Sequence, residues 1–144
     1  MAGLTRFVAG AIVLLGLAAA AASGGFARAP APDRTPPTFA GLKSAIACIP
    51  GPVDGETATY RLAWDAASDN VTPSGQIAYD IYQATKAGGE DFSAPTYGVR
   101  KGATTFTTPP LPADQTFYFV VRARDRAGNR DSNVVERAGT NICV

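Results

Sequence analysis

From Phe117 to Asn129 the chain reads F-Y-F-V-V-R-A-R-D-R-A-G-N, a strongly β-prone run that stops at a turn signal. Phe117, Phe119, Val121 and Ala123 occupy every second position, with Tyr118, Val120, Arg122 and Arg124 between them. A period of two belongs to a strand and assigns one face to a core, the other to solvent. Asp125 to Asn129 then supplies the small, polar and glycine residues of a reversal, and Asn133 to Ala138 is the expected returning arm of a hairpin. The rest of the chain is expected to pack around this hairpin.

The same reading places further strands upstream. Phe39 to Cys48 is a first strand anchored by Phe39 or Leu42 and by Ile46, followed by a Pro/Gly loop from Ile49 to Gly55. Thr57 to Trp64 alternates well, with Tyr60, Leu62 and Trp64 on one side, and Trp64 is a predicted core anchor. After a polar loop, Asp65 to Gly75, the residues Ile77, Tyr79 and Ile81 alternate again, which turns Asp80 and Tyr82 away from the core. Gly88-Gly89 marks a turn, Pro95 to Arg100 and Thr104 to Thr108 are candidate edge strands, and Leu111 plugs the core among Pro109, Pro110 and Pro112. With no sustained helical period after the N-terminal segment, several short strands separated by turns define an all-β antiparallel sandwich.

Arg6 precedes an apolar run, Phe7 through Ala22, that is shorter than the ~20 residues of a membrane span and is followed by small residues. Residues 1–29 are therefore expected to be an export signal cut between positions 22 and 29, with Ala20-Ala21-Ala22 and Ala27-Arg28-Ala29 as alternative sites. Residues 30–37, P-A-P-D-R-T-P-P, exclude helix and central strand and form a lead-in to the domain at 38–144. The formal net charge of +1 falls to 0 once Arg6 is removed, which gives no field to draw nucleic acid or an anionic membrane. A membrane is a partner only if the signal is retained. Cys48 and Cys143 are an even pair in a chain marked for export, where a disulfide is the default state.

A strand ending in Trp64, the Y-D-I-Y of Tyr79 to Tyr82, Leu111 six residues before Phe117, and F-x-F-x-V-x-A leading into D-R-A-G-N together resemble a fibronectin type III domain. The resemblance spans about Thr35 to Ala138 and is greatest to versions found in exported bacterial proteins. It implies an immunoglobulin-like sandwich of about seven antiparallel strands. It departs at Phe117, where the family usually has a tyrosine whose hydroxyl bonds back into the preceding corner. The implied topology sets the end of the first strand beside the end of the last, which would bring Cys48 and Cys143 together. At the opposite pole it gathers Asp33, Asp65, Asp69, Asn70, Asp125 and Asn129. Asp33, Asp69, Asp125 and Asn129 are hard-oxygen candidates for calcium, but they lack the fixed spacing of a dedicated calcium loop, and Asp and Asn are what turns use without any ion, so the expectation is ordinary turn chemistry and no metal.

The presumed wet face carries Tyr118, Arg122 and Arg124 beside Asp80 and Tyr82, a set able to grip a sugar or a protein, or simply to pair across strands. Histidine is absent, which removes the commonest general base and metal ligand, and no catalytic constellation or cofactor motif is recognisable. The expected function is that of an exported, non-catalytic interaction or structural module whose partner is an extracellular protein or a glycan. The alternatives are a small carbohydrate-binding module and a membrane-anchored display domain.

Overall fold

A computed structural model describes residues 29–48 and 57–141. Among these residues nine strands follow in order: β1 (Leu42–Cys48), β2 (Thr57–Trp64), β3 (Ala78–Ala84), β4 (Tyr97–Val99), β5 (Thr105–Thr107), β6 (Leu111–Pro112), β7 (Tyr118–Arg124), β8 (Arg137–Ala138) and β9 (Thr140–Asn141). Among the described residues the one helical element is a 3₁₀ turn, Ser74–Gln76, and no helix is long and apolar enough to cross a membrane.

The strands form two sheets. One has the order β5-β2-β1-β9 with β6 also on β2; the other has the order β4-β3-β7-β8. The organising strand β7 lies centrally, antiparallel to β3 from Ala78↔Arg124 to Ala84↔Tyr118. Both expected edge strands are edges, β4 of one sheet and β5 of the other. The all-β sandwich is the expected class, with two differences. Short pieces β6 and β9 raise the strand number among the described residues to nine, and β9 pairs with β1 in parallel, because the chain crosses between sheets at Gly139 and runs on beside β1.

Core side chains come from alternate positions of facing strands: Tyr60, Leu62 and Trp64 from β2, Tyr79 and Ile81 from β3, and Phe119, Val121 and Ala123 from β7. Trp64 packs on Tyr79 at 5.3 Å between ring centres, and its indole N–H donates to the Ala103 carbonyl at 3.0 Å. Phe117 is buried with its ring edge-on to Tyr60.

The first strand is shorter than expected. Gly41 has φ +87°, a conformation that favours glycine, and a bulge between Leu42 and Ser44 then shifts the register against β2. Because a one-residue shift exchanges the faces of a strand, Leu42 is buried before the bulge and Ala45 and Ala47 after it. Ile46, an expected anchor, is only half-buried as a result. The returning arm is also corrected, since regular pairing with β7 is confined to Tyr118↔Ala138 and Phe119↔Arg137. Further from the end of the arm, side chains share the bonding with isolated backbone bonds: the Asp131 N–H donates to the Ala123 carbonyl at 3.1 Å, the Ala123 N–H to the Asp131 carboxylate, and the Asn133 side-chain amide to the Val121 carbonyl at 3.0 Å.

Gly139, at the crossover, donates its N–H to the Phe117 carbonyl at 2.8 Å. A Cβ there would lie 2.1 Å from Tyr60 Cε1, closer than any atoms can pack. Gly139→Ala is therefore expected to destabilise the protein by about 2–3 kcal/mol through overpacking, read as a lower urea midpoint at unchanged slope.

Candidate functional site

The predicted ligand face lies on β3 and β7, on the side away from the facing sheet; the structure overturns the expected exposure of Asp80 and Tyr82 and leaves Tyr118, Arg122 and Arg124 half-buried. Asp80 retains 2% of its accessible surface, Tyr82 1% and Val120 1%. The cover comes from segments that carry no strand period. Phe92, between β3 and β4, sets its ring edge-on to Tyr82 at 5.0 Å, and the Arg122 guanidinium lies 3.7 Å from the centre of the Phe92 ring. Arg122 Nε also donates to the Asn133 carbonyl at 2.9 Å.

Asp80 is held by two arginines. Arg124 Nε and Arg130 Nε donate to its Oδ2 at 3.0 and 2.7 Å. The bond to Asp80 raises the Arg130 guanidinium further above its usual value, and burial pushes the Tyr82 phenol up. Arg130 has no place in the sequence-predicted face because it lies beyond the reversal, but the bridge Arg124↔Arg130 returns it to the end of β7. Tyr118, opposite Ala84, is half-buried. Asp80 and Arg124 thus pair with each other, and Arg122 commits its Nε to the Asn133 carbonyl with the Phe92 ring against its guanidinium.

At one pole of the sandwich the loop between β2 and β3, the lead-in and the turn after β7 meet. Thr38 and Ser68 bridge lead-in to loop, and the Arg126 N–H donates to Thr72 Oγ1 at 3.2 Å, joining turn to loop. Asp33, Asp69 and Asp125 converge here, each with a carboxylate oxygen within 4.8 Å of the other two. One oxygen of Asp33 accepts the Thr35 N–H at 3.0 Å, and Asp69 Oδ2 accepts the N–H groups of Val71 and Thr72. Their other oxygens, Asp33 Oδ2 and Asp69 Oδ1, are buried without a hydrogen-bond donor. Asp125, 3% exposed, accepts from Asn129 at both oxygens, 2.7 Å each, and the Asn129 amide also donates to the Asp33 carbonyl at 3.3 Å. Asn129, a candidate ligand, therefore directs donors at the cluster. Asp65 is drawn off to Lys43 at 2.9 Å.

A surface groove of about 280 Å³ lies by Gln83, Lys86 and Gly89. Close by in sequence, the Glu90 carboxyl is raised by burial and, further, by Glu136. Cys143 of the predicted Cys48–Cys143 disulfide lies outside the described residues, as does the predicted signal peptide apart from its last position. The described backbone does place Ala47 opposite Asn141, one residue before Cys48 and two before Cys143.

Fold and sites define a small two-sheet β-sandwich that uses most of its conspicuous polar side chains to hold its own loops. No family model matches the chain, and no solved structure does. It is 34% identical over 71 residues to exoglucanase B of Cellulomonas fimi, a match covering 49% of this chain and 6% of the enzyme. Over 73 residues it is 34% identical to chitinase A1 of Niallia circulans, covering 51% of this chain and 9% of that enzyme.

Proposed function

We propose that the chain is an exported, non-catalytic module of fibronectin type III kind, with a structural or protein-interaction role outside the cell or at its surface. The observation that carries this reading is the extent of the matches. They occupy 6% and 9% of two large enzymes, the proportion of a separable accessory unit. The fold alone names no activity. The internal pairing of Asp80 with Arg124 and Arg130 supports a structural use of the face that would otherwise have been a ligand surface.

Both relatives are named for polysaccharide chemistry, which favours carbohydrate binding as a second reading. Half-exposed Tyr118 is then the contact aromatic, since Tyr82 is covered. Retention of the purified protein on insoluble glucan or chitin would favour this reading over the first.

The test of export is an intact mass, without reduction, on protein recovered separately from the medium and the membranes of its own cells. The expected species is in the medium, shortened at a site between residues 22 and 29, and two hydrogens lighter than the dithiol form. A full-length chain in the membrane fraction would instead identify an anchored domain, and free thiols would remove the disulfide. In the chain-entropy model that crosslink closes a long loop and stabilises by about 4–5 kcal/mol.

A further inference from the structure

We infer that the pole formed by Asp33, Asp69 and Asp125 is a calcium site that clamps the proline-rich lead-in to the sandwich. Three carboxylates from segments far apart in sequence bring an oxygen each within 4.8 Å of one another. Among the described residues no lysine or arginine forms an ion pair with any of them; the ion pairs go to Asp65 and Asp80. Acidic clusters are common without ions, and convergence alone would carry little. What points to a ligand is the state of two particular atoms. Asp33 Oδ2 and Asp69 Oδ1 are shut off from solvent with no donor to satisfy them. A buried carboxylate oxygen without a partner is costly, and native structures satisfy such atoms with a donor, a water or an ion.

The pattern of use reinforces the assignment. Asp33 and Asp69 each commit one oxygen to the backbone N–H groups of their own segments and keep the other uncommitted. Asn129 holds both oxygens of the buried Asp125 and reaches the Asp33 carbonyl, so it is a positioning residue joining two of the three contributing segments. Oxygens bound to calcium at about 2.3–2.6 Å lie at most about 4.6–5.2 Å apart across the ion, a span that accommodates this cluster. Calcium also accepts irregular sets of six to eight oxygens completed by carbonyls and water, whereas magnesium demands a near-ideal octahedron. Three uncompensated negative charges on loops of different origin match the first requirement.

Calorimetric titration of the purified full chain with calcium chloride, paired with thermal melts, tests the site. One ion per chain is expected, with Kd of about 10⁻⁴–10⁻³ M, the range of extracellular modules. In about 10 mM calcium the melting temperature should exceed that in EDTA by about 5–15 °C, and magnesium should give a much smaller shift. Asp33→Asn and Asp69→Asn should weaken calcium at least about tenfold, yet melt in EDTA no lower than the wild type, since each removes a repelling charge. Residues with a merely structural role would lower the melting point with and without calcium. Absence of binding heat with superimposable melts, an equal response to magnesium, or variants that keep the wild-type shift would each overturn the assignment.

Discussion

A Phe119→Ala variant is expected to lose about 3–5 kcal/mol of folding free energy, the usual range for truncating a fully buried phenylalanine. Phe119 has no accessible surface and stands on the central strand of its sheet, opposite Gln83 of β3 and Arg137 of β8. Its ring crosses to the other sheet and meets Tyr60 of β2 at 5.4 Å, so removing it opens a void where the two layers touch. The Tyr60 ring also packs against the Gly139 backbone, so a shift of Tyr60 into that space would give up this contact. A domain of this size has about 5–15 kcal/mol of stability in all, and the loss should lower the melting temperature by about 15–25 °C. A drop of less than about 5 °C would mean that the sheets close over the gap and that β7 does not organise the core as argued.

That strand was legible because its inward positions are apolar without interruption and begin with two phenylalanines, and β2 was legible because Tyr60, Leu62 and Trp64 alternate in the same way. Each difference between expectation and structure lies where burial is decided by something other than local period. In β1 the side chains are small and mixed, and a bulge after Leu42 exchanged the faces, which left Ile46 half-exposed and filled the core with Ala45 and Ala47. On the outer side of β3 and β7 the alternation itself was read correctly, but Phe92 lies against Tyr82, and Arg124 and Arg130 close over Asp80. Phe92 and Arg130 lie between strands, in segments whose sequences announce a reversal and do not say where it lands. The acidic pole was accessible only through the topology that the family resemblance implied. That Asp33, Asp69 and Asp125 converge while Asp65 pairs with Lys43 is a matter of ångströms.

Replacing Arg124 and Arg130 together by alanine should cost about 3 kcal/mol, the lower end of the range for stranding a buried charge. Asp80 is 2% exposed and takes both of its ion pairs from these two side chains. The arginines themselves remain 37% and 42% exposed, so water can enter where they stood and partly rehydrate the carboxylate, which holds the loss to that lower end. The order of effects separates two accounts of this face. If the triad fastens β3, β7 and the turn carrying Arg130, adding Asp80→Leu to the double variant should restore most of the lost stability, because an apolar side chain no longer needs the cations. Retention on any glycan or protein target should then be the same for wild type and triple variant. If the arginines are instead held ready for a ligand, the double alanine variant should cost less than about 1 kcal/mol, as exposed ion pairs do, and binding should be lost. The distances of 2.7 and 3.0 Å to one buried oxygen favour the first result. On that result Asp80, Arg124 and Arg130 form an outer clasp of the sandwich rather than a ligand site.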